Sequence, residues 1–266
     1  MAGRQRDPYM GLEPVEMNES LRLGLYAFRT VRKVTQQELA DALHISVSTL
    51  RKYENGRLGI PNSIIVNILL YLKIPRILIP RIPWLILGPD LYTYEAGSWP
   101  GELTEADLVL LEIQAQPSLY NTFPGLDILA ASSRMLEYAE FLRPAPPGAD
   151  RPVNLLEEVV TNPAAKEVFG DSWAVVAGGL ALTFRTMGAG LLPPARMTEV
   201  LTNCSANPEF ERLLAIEELT DDSFTASSVT LRVPESGEYK LHEIIGSGQD
   251  FPAQGWKMTS FVRVEP

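Results

Sequence analysis

Two helix caps and a group of basic and amide side chains lie close together near the N-terminus of this sequence. Thr35 and Glu38 have the spacing of a capping box, which predicts that a helix begins there. Ser46 is a favourable N-cap for a second helix over Val47–Glu54, and Asn55-Gly56 is a stop signal. The polar groups of such a helix pair suit anionic oxygens and the edges of nucleobases.

The apolar residues of this segment fit two short helices that cross at close range. Leu39 and Leu43 give the first helix an apolar face, and Leu50 faces inward from the second. Ala40 is small at the point where the second helix must approach closely. The turn at His44 needs a residue that tolerates positive φ, and histidine is among the types enriched there.

The segment from Val34 to Gly56 resembles the XRE/Cro family of phage-repressor-like helix-turn-helix domains. The resemblance implies an all-α, lambda-repressor-like N-terminal domain over residues 18–74, whose second helix enters the major groove of DNA. Arg29 and Glu54 match positions that often form an internal ion pair in this family. A helical hairpin that only packs is the alternative, and the caps and the basic charge together disfavour it.

The resemblance also implies which side chains contact DNA. Base edges are assigned to Val47, Ser48 and Lys52, while Thr49 suits either bases or phosphates. Phosphate oxygens are assigned to Gln36, Arg51, Asn55 and Arg57.

Charge is distributed unevenly along the 266 residues, whose net charge is −10. Residues 18–76 contain nine Lys or Arg and four Asp or Glu, so this stretch carries +5. Residues 77–266 contain 12 basic and 26 acidic side chains, so they carry −14. A basic segment on an acidic body is typical of a DNA-reading module joined to a domain that does not bind DNA.

The sequence favours a cytoplasmic, bacterial protein with no membrane segment. Cys204 is the single cysteine, which excludes an intrachain disulfide and fits a reducing compartment. Residues 1–11 contain no apolar run typical of a signal peptide. The apolar stretch Ile74–Leu87 is too short to span a bilayer and is interrupted by prolines, so we interpret it as part of a Pro-rich linker over residues 75–102.

Residues 103–266 predict a second domain of α+β class with an antiparallel sheet. It begins with a helix over Leu103–Gln114, with Thr104 as N-cap and an apolar face formed by Leu103, Ala106, Leu110 and Ile113. Two strands follow, then helical sequence from Asn154 to Leu219, then three strands. The strand candidates are Ser118–Phe123, Leu126–Ala130, Ser223–Val233, Tyr239–Ile245 and Trp256–Val264.

Side-chain constellations for catalysis or metal binding are missing from the sequence. The only histidines are His44 and His242, and with one cysteine no metal-ligand cluster or Cys/His dyad has a recognisable spacing. Adjacent carboxylates such as Glu157-Glu158 are interpreted as a solvated face, and Gly246-Ser-Gly248 as a turn. We therefore expect no enzyme activity, no catalytic residues and no metal.

Four motifs of the second domain resemble the ligand-binding domain of MmyB-like regulators, in the same order. They are Leu126–Ala131, Asn154–Pro163 followed by Asp171-Ser-Trp173, Asn207–Leu213 and Val233–Tyr239. The resemblance implies a PAS-like fold that binds a small, fatty-acid-like molecule, as in regulators linked to antibiotic metabolism in actinomycetes. Ala131-Ser132 stand where the family commonly has Trp-Asn, which implies an altered apolar pocket.

Large apolar side chains occur in every element of the second domain and could line such a cavity. The predicted pocket residues are Tyr120, Phe123, Met135, Phe169, Trp173, Phe184, Met187, Phe210, Leu214 and Met258. The residues predicted to meet a ligand carboxylate are Arg134, Arg185 and His242. No cofactor is expected apart from a bound fatty acid or a similar apolar molecule.

These observations predict a homodimeric transcription regulator that binds a pseudo-palindromic operator in double-stranded DNA. A small hydrophobic effector in the second domain would bias the dimer geometry and hence the spacing of the two reading helices. The alternative is a regulator controlled by a protein partner that docks on the acidic second domain. An enzyme with an attached helix-turn-helix is the least favoured class.

Overall fold

The computed structural model describes residues 19–74, 102–188, 192–214, 228–247 and 255–264. The chain divides into two compact units, and the described residues of the first are 19–74. The other described residues belong to the second unit. The predicted linker lies outside the described residues except for Glu102.

The described part of the first unit consists of four helices joined by short turns. They are α1 (Glu19–Val31), α2 (Gln36–Ala42), α3 (Val47–Glu54) and α4 (Asn62–Tyr71). Because α2 and α3 have only seven and eight residues, packing rather than intrinsic helicity must stabilise them. That packing comes from a buried core that includes Leu21, Leu25, Phe28, Leu39, Leu50, Ile60, Ile65 and Ile68.

Both predicted caps are confirmed, and they set the starts of α2 and α3. The Thr35 hydroxyl accepts the Glu38 backbone N–H, and the Glu38 carboxylate accepts the Thr35 backbone N–H at 2.7 Å. The Ser46 hydroxyl accepts the backbone N–H of Thr49 at 3.0 Å. The predicted tight turn is also confirmed, since His44 has a φ of 53°.

The second unit contains a five-stranded antiparallel sheet, which confirms the α+β class. The strands are β1 (Ser118–Thr122), β2 (Ile128–Ala131), β3 (Ser228–Arg232), β4 (Tyr239–Ser247) and β5 (Trp256–Arg263). Their spatial order is β2-β1-β5-β4-β3. The two early strands therefore join the three late strands through the β1–β5 pair, where Leu119 lies opposite Thr259.

Helices cover the two faces of this sheet unequally. The helices of the unit are α5 (Glu105–Glu112), α6 (Ser133–Tyr138), α7 (Leu155–Thr161), α8 (Pro163–Phe169), α9 (Trp173–Gly188), α10 (Pro194–Cys204) and α11 (Phe210–Leu214). Neighbouring residues of a strand point to opposite faces. Leu119 accordingly packs into a main core with side chains of α6 to α11, whereas Tyr120 packs into a smaller cluster with Leu111 of α5.

The apolar face predicted for the first helix of this unit is wrong. α5 buries Leu111, which is 2% exposed, whereas Leu110 and Ile113 are 43% and 69% exposed. Leu111 packs in one cluster with the rings of Tyr120 and Trp256. The fit to two large rings from distant strands therefore decides which side of the helix is buried.

Two further interpretations are corrected by the structure. Glu157 is buried rather than solvated, because Arg151 donates to its carboxylate at 2.8 Å and Asn203 donates at 3.1 Å. The predicted turn at Gly246-Ser247 is part of β4, where both residues pair with β5. A partner that is distant in sequence decides both outcomes: α10 contributes to the burial of Glu157, and β5 extends β4 through Gly246-Ser247.

The single cysteine is an inert core residue. Cys204 is fully buried in α10, and burial, together with the nearby Glu157, raises the pKa of its thiol to about 12. The thiol is therefore protonated and unreactive at neutral pH.

Among the described residues, no helix has the length and apolar character needed to cross a bilayer.

His242 gives the second unit a stability that depends on pH. Its ring is fully buried on β4 and meets the Tyr138 ring edge-on, with centroids 5.7 Å apart. Burial lowers the pKa of His242 below its ordinary value of 6.5, and Arg263 acts in the same direction. The unfolded chain then binds the proton more readily, so this stability is present above about pH 6.5 and is lost as the pH falls through the folded pKa.

We expect the free energy of unfolding to decrease as the pH falls from about 7 to about 5, and much of this decrease to be missing in His242→Leu. Urea denaturation followed by tryptophan fluorescence in a Trp84→Phe background reports on this unit, because the remaining Trp99, Trp173 and Trp256 all belong to it. His44→Asn removes the other, exposed histidine and keeps a residue that tolerates positive φ, so it should retain the wild-type profile. A wild-type profile in His242→Leu would contradict the prediction.

Candidate nucleic-acid interface

Helix α3 presents a polar and basic face to solvent. A helix turns by about 100° per residue, so the buried Leu50 and Tyr53 mark its inward side. Four exposed residues lie on the opposite side, within about 50° of its centre: Ser48, Asn55, Arg51 and Lys52. All four belong to the predicted DNA contacts, and the structure brings them together on one surface.

The other predicted contacts of this helix flank that surface. Val47 and Thr49 are half-buried in the first turn, and Arg57 is exposed just after the helix. The Thr49 hydroxyl lies 2.8 Å from the Ser46 hydroxyl, so the cap already engages it. Within residues 19–74, no hydrogen bond holds the Ser48 hydroxyl or the Lys52 ammonium, which leaves both able to meet a ligand.

A shielded ion pair fixes the inward edge of α3, as the family resemblance implied. Arg29 of α1 donates through Nε to one oxygen of Glu54 at 2.6 Å and through Nη2 to the other at 3.2 Å. Its Nη1 donates to the backbone oxygen of Val34 at 3.0 Å. The two side chains are only 11% and 10% exposed, so water screens their attraction weakly.

Gln36 connects this ion pair to the outward face of α3. Its Nε2 donates to Glu54 at 2.5 Å, and its Oε1 accepts the Nε–H of Arg51 at 3.0 Å. The family resemblance implied a phosphate contact for Gln36, and this internal role was not predicted. The available signal was the i, i+3 spacing of Arg51 and Glu54, which places both on the side of α3 that faces Gln36.

The predicted pocket residues of the second unit do not form a single group. Six lie in or against the main core under the helices: Met135, Phe169, Trp173, Phe184, Phe210 and Leu214. Tyr120 and Met258 lie on the opposite face of the sheet. Phe123 is buried just after β1, with the Lys257 ammonium 5.6 Å from its ring centroid. The side chain of Met187 lies outside the described residues.

The three predicted head-group residues have different surroundings. Arg134 is engaged in ion pairs with two glutamates, one of them Glu235 at 2.5 Å. Arg185 is half-buried, and burial lowers its pKa; no hydrogen bond to it occurs within the described residues. His242 Nδ1 lies 2.9 Å from the backbone oxygen of Lys240, whereas its Nε2 is buried without a partner in the described part of the chain.

Comparison with known protein families bears on the first unit. Residues 25–77 match the family model described as helix-turn-helix. The match includes α2, α3 and both of their caps, so the first unit contains a helix-turn-helix domain, which supports a DNA-binding transcription regulator. No curated protein matches the chain.

Arg29→Met leaves the shielded Glu54 carboxylate without its charged partner, a change that typically costs about 3–5 kcal/mol. We expect the loss of stability to lie near the lower end of this range, because Gln36 still donates to Glu54. Amide hydrogen exchange of peptides that cover α3 measures this loss in the first unit alone.

The matched control is Arg57→Met, which removes an exposed guanidinium and should change stability by no more than about 0.5 kcal/mol. Adding Glu54→Leu to Arg29→Met should recover part of the loss, because no buried charge then remains unpaired. Equal protection of α3 in the two single arginine variants would refute a stabilising role for the pair.

Proposed function

We propose that the chain is a sequence-specific transcription regulator, rather than an enzyme, that binds double-stranded DNA as a homodimer and responds to a small apolar effector. The observation that carries the proposal is the outward face of α3, whose exposed groups are hydroxyl, amide, guanidinium and ammonium. Such a helix fits the major groove, where these groups meet base edges and phosphates. The buried Leu50 and Tyr53 support this role because they anchor the opposite side of the helix.

The charge distribution supports the same division of roles. The +5 charge of residues 18–76 attracts phosphates, while the −14 charge of the rest keeps that part away from DNA. One eight-residue helix reaches few base pairs. Two copies on a pseudo-palindromic operator would supply the remaining specificity, which is the reason for proposing a homodimer.

We expect Lys52→Ala to weaken binding to an operator selected from random duplexes by about 1–3 kcal/mol, because Lys52 faces outward beside Ser48. Fluorescence anisotropy of the labelled duplex should also show that the logarithm of the association constant falls linearly with the logarithm of the salt concentration, between about 50 and 200 mM. The control is Lys73→Asn, which removes an exposed lysine outside α3 at a φ of 48° that asparagine tolerates. Equal losses in both variants would argue against base reading by Lys52.

Two polar groups in the second unit support the effector part of the proposal. His242 lies across the β3–β4 pair from Val229, a main-core residue, so its Nε2, which has no partner among the described residues, is on the helix-covered face. Arg185 is half-buried on α9, whose Phe184 also belongs to that core. Helices over one face of an antiparallel sheet agree with the PAS-like fold that the MmyB-like resemblance implies. We assign the core beneath them to an apolar chain and Arg185 to a carboxylate.

We expect palmitate to raise the unfolding temperature of delipidated protein, by the equivalent of about 2.7 kcal/mol at one hundred times its Kd. Arg185→Gln should remove most of this shift, because it removes the cation proposed for the carboxylate. Arg134→Gln is the matched control, since the guanidinium of Arg134 is already paired with glutamates. No shift in the wild-type protein, or equal losses in both variants, would reject the assignment.

A protein partner on the second unit is the second candidate for control of the regulator. Helix α5 favours it, because Leu108, Val109 and Ile113 are large apolar residues exposed to solvent. Native mass spectrometry of the purified chain separates the two candidates. A bound lipid supports the effector, whereas a stoichiometric protein without lipid supports the partner.

A further inference from the structure

We propose that Arg51 determines DNA sequence specificity by reading a guanine, and that Gln36 and Glu54 are positioning residues that hold its guanidinium for this contact. The inference rests on the proposed function, because it requires α3 to enter the major groove. It changes the role of Arg51 from a phosphate contact, which positions the protein, to a base contact, which selects the sequence.

The chain of contacts begins at Glu54, a shielded carboxylate whose two oxygens are both engaged by Arg29. Both oxygens of Glu54 accept hydrogen bonds from Arg29, at 2.6 and 3.2 Å. Arg29 is held in turn by the backbone oxygen of Val34. Two parallel hydrogen bonds between a planar guanidinium and a carboxylate fix direction as well as distance.

The hydrogen bond between Gln36 and Glu54 can have only one direction. A carboxylate accepts hydrogen bonds and cannot donate them, so Gln36 must present its amide nitrogen to Glu54. Its amide oxygen then points away from Glu54 and accepts the Nε–H of Arg51 at 3.0 Å. The ion pair therefore determines which end of the Gln36 amide the Arg51 side chain meets.

Arg51 retains the part of its guanidinium that recognises bases. Its Nε–H is taken by Gln36, and within residues 19–74 no contact uses Nη1 or Nη2. Because the guanidinium is planar, fixing Nε orients the two η nitrogens as a pair of parallel donors. In the major groove guanine alone presents two adjacent acceptors, N7 and O6, which match such a pair.

The place of Arg51 on the helix favours a base over a phosphate. Arg51 is exposed about one turn from both Ser48 and Asn55, on the outward side of α3 near the edge that meets Gln36. In the proposed complex this side faces the floor of the groove. A phosphate can also accept two hydrogen bonds from a guanidinium, but such a contact carries no sequence information, whereas an oriented fork near the centre of the groove can distinguish one base from another.

The experiment compares four full-length proteins: wild type, Arg51→Ala, Gln36→Ala and the control Gln37→Ala. Gln37 is the exposed neighbour of Gln36 on α2 and contacts Asp41 instead of α3. Each protein selects sites from a random-sequence duplex library. Anisotropy then gives the Kd for the wild-type consensus, and for the same duplex with 7-deazaguanine at each selected guanine in turn.

We expect wild type and Gln37→Ala to select one guanine per half-site that Arg51→Ala does not select. Replacing that guanine by 7-deazaguanine should weaken wild-type binding by about ten- to a hundred-fold and leave Arg51→Ala binding unchanged. Gln36→Ala should show a smaller penalty at the same position only. Thermal denaturation confirms that each variant is folded. The 7-deazaguanine series measured with the wild-type protein does not depend on the folding of any variant.

Three results would overturn the proposal, and they are distinguishable. If Arg51→Ala loses affinity equally for every duplex and the salt slope falls by about one, Arg51 contacts a phosphate. If Gln36→Ala keeps the full guanine preference of Gln37→Ala, Gln36 does not position Arg51. If the wild-type protein selects no sequence, the proposed function itself fails.

Discussion

The orientation of α3 depends on the ion pair between Arg29 and Glu54. Burial of Leu50 and Tyr53 fixes how deeply this short helix sits, but apolar contacts are not directional and allow rotation about its axis. A rotation of about 50° would replace the side chains at the centre of its outward face by their neighbours. The two parallel hydrogen bonds from Arg29 prevent this, because they hold one edge of the helix at fixed atoms. The surface that we propose faces DNA is thus specified by contacts in the interior of the first unit.

In the second unit, too, directional hydrogen bonds fix the orientation of elements that apolar packing alone would leave free to shift. Asn154 caps α7 and donates through Nδ2 to the backbone oxygen of Gly125 at 2.7 Å and to Asp127 at 2.8 Å. Arg196 of α10 reaches the same Asp127, and both of these side chains are largely shielded from water. These bonds tie the loop between β1 and β2 to two helices of the main core.

What the sequence predicted correctly depends mainly on residues close together in the chain. The caps at Thr35 and Ser46 and the turn at His44 each involve partners within a few residues, so the local pattern was sufficient. The antiparallel sheet also followed from local strand signals. The errors concern surfaces whose partners are distant in sequence. The buried side of α5 depends on rings from β1 and β5, and the burial of Glu157 depends on α10. Side-chain periodicity carries no information about such partners, and the direction of the Gln36 amide is likewise a property of three segments together.

The contacts of the first unit also separate the residues that stabilise it from those that we propose contact DNA. Arg29 and Glu54 are shielded, so replacing either one leaves a charge or a polar group without its partner. Ser48, Lys52 and Asn55 are exposed, and replacement of such residues usually changes stability by less than about 0.5 kcal/mol. The outward face can therefore change its sequence preference without loss of the fold. Gln36 connects the two sets, since it donates to Glu54 on one side and accepts from Arg51 on the other. A change at Gln36 would alter how Arg51, the base reader that we propose, is held, while the two hydrogen bonds from Arg29 to Glu54 that orient the helix remain.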